Sequence, residues 1–233
     1  MRTRPKFLLF TGLLFSVLVG VVILVVMRSE PSYQGKKLTA WIDDLSKSNS
    51  WQQWDTNTAP AKAIRAIGTN AIPWLLRDIR HPVHPMEYRL NALLNKQHLV
   101  KYRFPDMNAR LRRASLGFQA LGTIAKPAIP DLEKLIEDYP GYVPGILASI
   151  GPDALPALQQ CMTNTFTYQS SVGPLIPIPG NALGGIHNAI NFGRIPKSNA
   201  ELFLPAARAW AVSTNRNPAE YNYAADFLKD FDK

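Results

Sequence analysis

Apolar residues recur along this chain at intervals of three and four positions, the spacing that aligns them on one face of a helix. Two stripes show the pattern most clearly. They are Leu38, Trp41, Ile42 and Leu45 in one segment, and Leu111, Ala114, Phe118 and Leu121 in another. The pattern predicts an all-α protein from about residue 37 to the C-terminus.

A stretch of ten residues within this pattern occurs three times. The copies cover residues 64–73, 121–130 and 147–156, and each copy ends in proline. Each copy begins with two apolar residues three positions apart, which continue the apolar stripe of a preceding helix. Self-similarity of this kind predicts a repeat architecture, in which each repeat buries its apolar face against the next.

Each copy has the features of a corner between two helices. Gly68 and Gly151 are expected to end the first helix in the left-handed conformation. Ala125 stands at this place in the middle copy, so we expect its cap to be built differently. Asn70 and Asp153 are expected to cap the second helix. The closing proline then falls in the first helical turn, where a missing N–H is tolerated.

In each copy a helix is followed by a corner and then by a second helix that starts with proline. This arrangement resembles the repeats of the HEAT-repeat family of α-solenoids. The matching motif is Ala/Leu-x-x-Ile-Gly-x-x-Ala-Ile/Leu-Pro-x-Leu, and it covers roughly residues 58–162. The resemblance implies that residues 37–233 form a HEAT-like α-solenoid of about four helical pairs with a capping helix at each end. Residues 80–108 would then be an insertion or an irregular repeat. An ordinary helical bundle with similar corners is the alternative.

The N-terminal part of the chain has a different composition. Residues 7–27 carry no charge, and as a helix these 21 residues would be about 31 Å long, which matches the hydrocarbon core of a bilayer. The run is longer than the apolar part of a signal peptide, and no Ala-x-Ala cleavage site follows it. We therefore expect an uncleaved transmembrane anchor at residues 7–28, with Phe7 to Met27 in the membrane. A cleaved signal peptide is the alternative.

The charges beside this segment predict its orientation. Arg2, Arg4 and Lys6 precede it without any acidic residue, so the positive-inside rule places residues 1–6 in the cytoplasm. The remainder of the chain would then lie on the extracytoplasmic side, which is the periplasm in a Gram-negative cell.

A short lead-in follows the predicted anchor. Residues 29–36 are expected to be a linker. The segment 33–45 resembles the Tyr-x-Gly-Lys-x-Leu-x-x-Trp-Leu-x-x-Leu lead-in of a group of bacterial, membrane-anchored HEAT-repeat proteins. The matching residues are Tyr33, Gly35, Lys36, Leu38, Trp41 and Leu45. This resemblance implies architecture and topology rather than an activity.

Beyond the third copy, the pattern becomes less regular. Residues 163–180 contain three prolines near their end and are expected to form a loop. Helices are expected at 181–192, 201–213 and 218–231, the last capped by Asn217. Terminal repeats are expected to be atypical, because one of their sides faces water.

The net charge of +9 is concentrated in two segments. Residues 1–28 contribute +4, and residues 77–113 contribute +6 from nine basic and three acidic residues. The second segment is our candidate partner-binding patch, which we call the basic-aromatic patch. Its members are Arg89, Lys101, Tyr102, Arg103, Arg110, Arg112 and Arg113. Arg110 and Arg113 are one helical turn apart and opposite Phe118, so we expect both to be exposed. A solvated helix face with no ligand is the alternative.

The motifs of common enzyme and cofactor sites are absent from the sequence. It contains no Gly-x-Ser-x-Gly, no Gly-x-x-x-x-Gly-Lys and no His-Glu-x-x-His. His81 and His84 could share a metal, but no acidic or cysteine residue stands beside them. Cys161 is the single cysteine and lies on an apolar stripe, where a small buried thiol is expected. Gly184 and Gly185 lie in a predicted helix and indicate close helix packing rather than a nucleotide loop. We expect no catalytic residue, cofactor or metal.

These observations favour a non-enzymatic, membrane-tethered scaffold that binds a protein partner on the extracytoplasmic side. Two other functions stay open. One is a metal-dependent enzyme or regulatory subunit with its site at 80–113, and the other is docking on anionic lipid or an envelope polymer through the basic-aromatic patch. Nucleic acid would suit a basic patch, but the predicted location argues against it.

Overall fold

The structure is a computed structural model. It describes residues 30–47, 55, 57–80, 92–93, 106–163, 167–169, 175–214 and 223–232. Most of these residues are helical, which confirms the all-α prediction at the level of fold class.

The described chain begins with a small antiparallel hairpin. Strand β1 is Ser32–Tyr33 and strand β2 is Lys36–Lys37. Gln34 and Gly35 form the two-residue turn with φ values of 50° and 72°, as a type I′ hairpin turn requires. The segment predicted as a linker at 29–36 therefore contains most of a hairpin. The polar composition of this segment suggested a linker, whereas Gly35 permits the tight turn of a hairpin.

Helix α1, Leu38–Ser46, follows the hairpin directly and buries Leu38, Ile42 and Leu45 as its stripe predicts. Lys36 joins the hairpin to the helix. Its ammonium group lies 4.1 Å from the centre of the Trp41 ring and pairs with the Asp44 carboxylate. Gly35, Lys36 and Trp41 of the lead-in therefore have a structural role, because they form the turn and connect the hairpin to α1, while Leu38 and Leu45 are buried in the core.

Three helical pairs follow, each joined through a short 3-10 helix. The first pair is α2, Ala59–Ile67, and α3, Ile72–Arg80, joined by Gly68–Ala71. The second pair is α4, Met107–Leu121, and α5, Ile129–Glu133, joined by Gly122–Ala128. The third pair is α6, Val143–Ile150, and α7, Leu155–Thr163, joined by Pro152–Ala154. We call each connection, with the glycine that starts or precedes it, a corner.

The three corners share one backbone conformation at glycine. The φ and ψ angles are 67° and −144° at Gly68, 56° and −130° at Gly122, and 109° and −157° at Gly151. The positive φ agrees with the prediction, but the negative ψ does not belong to the left-handed helical region. It belongs to a region that side chains with a Cβ rarely enter. The middle corner uses Gly122, three residues before Ala125, and its 3-10 helix is longer. The first helix of the middle pair therefore ends in the same kind of cap, with the Gly122 N–H bonded to the Phe118 carbonyl as the Gly68 N–H is to the Ile64 carbonyl, and the expectation of a different cap is wrong.

The second helix of each pair is entered through the 3-10 helix rather than through a capping side chain. Asn70 and Asp153 lie inside these 3-10 helices, so their prediction as N-caps is wrong. Pro73, Pro130 and Pro156 occupy the second position of their helices, as predicted, where the proline ring suits the first turn.

After the third pair, the structure departs from the predicted loop at 163–180. Strands β3, Thr167–Gln169, and β4, Leu175–Pro177, pair antiparallel in that segment. Helix α8, Ile178–Asn191, begins three residues earlier than predicted and is followed by Gly193 at a φ of 65°. The remaining helical segments are α9, Lys197–Ala200, the 3-10 helix Glu201–Phe203, α10, Leu204–Thr214, and α11, Tyr223–Lys229.

The first helices of the pairs pack one on the next: α2 on α4, α4 on α6, and α6 on α8. The corners also contact one another, and their buried residues belong to one continuous apolar core. Gly184 and Gly185 of α8 allow neighbouring helices to approach its backbone closely. A Cβ on Gly184 would lie 2.6 Å from Tyr223 Cδ1, and one on Gly185 would lie 3.1 Å from Ala148 Cβ. The interpretation of these glycines as helix-packing positions is confirmed.

Polar contacts connect elements that belong to different pairs. Lys126 Nζ lies 2.7 Å from Asp153 Oδ1, and Arg80 Nη2 lies 2.6 Å from Asp131 Oδ1. Both ion pairs are exposed, so each contributes about 0–1 kcal/mol to the free energy of unfolding. Arg194 is more buried and donates to the Ser149 carbonyl at 3.1 Å, at the C-terminal end of α6, where a cation suits the helix dipole. Burial lowers the pKa of Arg194 to about 10, so its guanidinium stays charged at pH 7.

Among the described residues, which begin at Glu30, no helix is long and apolar enough to cross a membrane. The predicted anchor at 7–28 lies outside them. Most of the predicted insertion at 80–108 also lies outside them, except residues 80, 92–93 and 106–108.

Candidate functional site

The structure describes three members of the basic-aromatic patch, and all three lie on α4. They are Arg110, Arg112 and Arg113. The other four members lie outside the described residues. They are Arg89, Lys101, Tyr102 and Arg103.

The arginines of α4 differ in exposure. Arg112 is exposed, as a surface patch requires, whereas Arg110 is only 7% exposed and Arg113 is partly buried. The prediction that Arg110 and Arg113 are exposed is therefore wrong. The reason is that α4 packs against α1, α2, α3 and α6, so the face opposite Phe118 is also covered by neighbouring helices.

Arg113 makes an ion pair with Asp78 of α3, with 3.1 Å between Arg113 Nε and Asp78 Oδ2. The two groups are not aligned for a hydrogen bond, so the contact is ionic. Burial raises the pKa of Asp78, while the neighbouring Arg113, Arg110 and Arg77 act to lower it. Arg113 is therefore held by the interior of the fold rather than offered to a ligand.

The nearby arginines of α3 are also engaged. The Arg77 guanidinium lies 3.4 Å from the centre of the Trp74 ring, and Arg80 pairs with Asp131. Within the described part of the chain, residues 77–113 therefore do not present a uniformly positive surface. Arg112 is the exposed cation of α4, and it makes no ion pair with another described residue, whereas Arg77, also exposed, lies against the Trp74 ring.

Arg112 lines a cleft of about 820 Å³ between α1 and α4, which we call the α1/α4 cleft. Its volume lies within the range of protein sites that bind small molecules or peptide side chains. Its described lining residues are Ile42, Asp43 and Ser46 of α1, Asp106 before α4, Asn108, Ala109, Arg112, Arg113 and Leu116 of α4, and Tyr142 before α6.

The two walls of the cleft carry opposite charges. Asp43 projects from α1 and is exposed, and Arg112 is exposed on α4. Neither makes an ion pair with another described residue. Asp106 has a structural role, because its carboxylate accepts a hydrogen bond from the Ala109 N–H at 2.7 Å and caps α4. Ile42, Leu116 and Tyr142 add an apolar part to the lining.

The sequence analysis identified the arginines of this cleft but missed Asp43, Asp106 and Tyr142. These residues come from three separate elements, and no spacing in the sequence predicts that they meet. Asp106 alone carried a local signal, because an aspartate before a helical stripe is a common N-cap.

The described residues contain no group of three or more His, Cys, Asp or Glu that could hold a metal ion, while His81 and His84 lie outside them. His187 Nδ1 lies 2.7 Å from Asp230 Oδ2, a contact that holds the chain end to α8. Cys161 is buried as expected, and burial raises the pKa of its thiol to about 11.

Comparison of the chain with protein-family models, curated protein sequences and solved structures returns no match.

Proposed function

We propose that this chain is a non-enzymatic scaffold, tethered to a membrane, that binds a protein partner through a HEAT-like α-solenoid. The observation that carries the proposal is the α1/α4 cleft. It has an exposed carboxylate on one wall, an exposed guanidinium on the other and apolar side chains in its lining. A few polar groups combined with an apolar lining are typical of binding sites.

The corners support the solenoid part of the proposal. Gly68, Gly122 and Gly151 share a backbone conformation that is nearly specific to glycine, and each precedes a proline-started helix. The first helices of the pairs pack in chain order. In a solenoid each repeat contacts mainly its neighbours and together the repeats form an extended binding surface.

The tether is proposed from the sequence. Residues 7–27 are uncharged and long enough to cross a bilayer, and three basic residues precede them. We propose that the solenoid lies on the extracytoplasmic side of that membrane.

The other two functions have less support. Docking on anionic lipid needs several exposed cations, but among the described residues of 77–113 Arg110 is buried, Arg113 pairs with Asp78 and Arg80 pairs with Asp131, which leaves Arg77 and Arg112. The metal-dependent alternative depends mainly on residues 81–105, of which only 92–93 are described. A protein partner is therefore the better proposal.

Photo-crosslinking of the full chain in its native cells tests this function. A photoreactive residue is placed in turn at Asn108 in the cleft, Gln160 on α7 and Arg208 on α10, all of which are exposed. We expect a discrete adduct with another protein from at least one position. Lipid adducts alone, or no adduct from any position, would contradict a protein-binding scaffold.

A further inference from the structure

We propose that the α1/α4 cleft receives a mixed-charge peptide segment of the partner, with an acidic side chain on Arg112 and a basic side chain on Asp43. This inference rests on the proposed scaffold function. It goes further by assigning the chemistry of the segment and the two residues that recognise it.

Both charges of the cleft are available to a ligand. Asp43 and Arg112 are exposed, line one cleft from opposite walls and make no ion pair with any described residue. Each would be partly desolvated by an occupant of the cleft. A ligand without the opposite charges would leave them unpaired, and an unpaired charge removed from water is costly.

The other charged groups of the cleft already have partners within the protein. Arg113 is held by Asp78, and the Asp106 carboxylate accepts from the Ala109 N–H. These contacts leave Arg112 and Asp43 as the charged side chains of the described lining that make no hydrogen bond or ion pair. This pairing favours a segment with both charges over one that is purely acidic or purely basic.

The lining of the cleft also has an apolar part. Ile42 and Leu116 are largely buried in the two walls, and Tyr142 lines the same space. A peptide in which an apolar residue separates the acidic and basic side chains would contact this part while its two ends reach the charges.

The test uses the full chain in nanodiscs of neutral lipid and three fluorescent peptides of equal length. One peptide carries glutamate and lysine around a central leucine, one carries only glutamate, and one carries only lysine. Binding is measured by fluorescence anisotropy at physiological ionic strength, with the wild type and with the variants Arg112→Glu and Asp43→Lys. Lys62→Glu is the matched control, because Lys62 is exposed on α2 and does not line the cleft.

We expect the mixed-charge peptide to bind the wild type more tightly than either of the others. Arg112→Glu should weaken it by about tenfold or more and make the lysine peptide the preferred ligand, because the cleft then carries only free acids. Asp43→Lys should transfer the preference to the glutamate peptide. Lys62→Glu should leave the order unchanged.

Three results would overturn the inference. They are equal or absent binding of all three peptides, an order of preference that neither cleft variant changes, and displacement of the mixed-charge peptide by phosphatidylglycerol vesicles through Arg112. The last result would assign the cleft to lipid headgroups. Photo-crosslinking separates this failure from failure of the scaffold function, since a protein adduct at Gln160 or Arg208 would retain the scaffold without the cleft.

Discussion

At the scale of single residues, the structure distinguishes glycines that the packing requires from glycines that it only tolerates. Gly184 of α8 faces the ring of Tyr223, and Gly145 of α6 faces open space, with no atom within 4 Å of a Cβ built on it. Both glycines lie inside helices. Replacement by alanine should therefore change the free energy of unfolding in opposite directions at these two positions.

We expect Gly184→Ala to lower the free energy of unfolding by about 1–3 kcal/mol, because the new methyl group overlaps the Tyr223 ring. Gly145→Ala should raise it by about 0.5–1 kcal/mol, because alanine restricts the unfolded chain and favours the helix. Urea denaturation of the full chain in detergent measures both values. Equal effects of the two substitutions would contradict the packing of α8 against α11.

The thiol of Cys161 gives a second prediction at this scale. With its pKa raised to about 11 by burial, only about one thiol in a thousand is ionised at pH 8. The folded protein should therefore react with Ellman's reagent at least about a hundredfold more slowly than the protein in guanidinium chloride. Because folding raises this pKa, the reaction of the folded protein should accelerate as the pH rises above 8. As a control, Gln160→Cys in a Cys161→Ala background should react rapidly in the folded state, since residue 160 is exposed.

At the scale of elements, the corners make a specific prediction about glycine. Asparagine often replaces glycine in the left-handed helical region, but the negative ψ at Gly68 and Gly151 lies outside that region. Gly68→Asn should therefore lower the free energy of unfolding about as much as Gly68→Ala does, by roughly 1–3 kcal/mol. Gly35→Asn in the type I′ turn is the matched control and should cost much less. Thermal unfolding of the four proteins, including the wild type, provides the comparison. If Gly68→Asn were as stable as the wild type while Gly68→Ala was not, the corner would be an ordinary left-handed cap.

The corners also show which features of the fold are local enough to predict. The glycines, the prolines and the apolar stripes act within one or two helical turns, so the helical pairs follow from the sequence alone. The hairpins at 32–37 and 167–177 were missed because such short strands have too few positions to show an alternating pattern. The shift of the middle glycine to Gly122 was missed because the corner allows 3-10 helices of different lengths.

The candidate site depends on information that no local pattern contains. The stripe on α4 correctly identified the face that Phe118 buries. It did not show that neighbouring helices cover the opposite face and bury Arg110. For the same reason, the meeting of Asp43 with Arg112 was not predictable, since α1 and α4 are separated by another helical pair and residues 81–105. Helical periodicity shows which residues share a face but not which faces meet.

At the scale of the whole molecule, the N-terminal segment should hold the chain in a membrane. If Phe7 to Met27 is an uncleaved anchor, the full chain should stay in the membrane pellet after extraction at alkaline pH. Replacing Leu14 and Val22 by lysine should release it, because two charges in the apolar run are costly in hydrocarbon. Intact mass measurement adds an independent check, since a cleaved signal peptide would leave a mature protein shorter than 233 residues. A released or shortened wild-type chain would contradict the tether.

The central claim is that the chain holds a protein partner. Native mass spectrometry of the full chain, isolated from its own membranes in polymer nanodiscs, tests it most directly. For the wild type we expect a complex whose mass is that of the 26.0 kDa chain plus the mass of a different protein. The Arg112→Glu variant should give the mass of the chain alone, whereas Lys62→Glu should retain the complex. A mass that corresponds only to the chain or to multiples of it, in the wild type and in both variants, would contradict the claim.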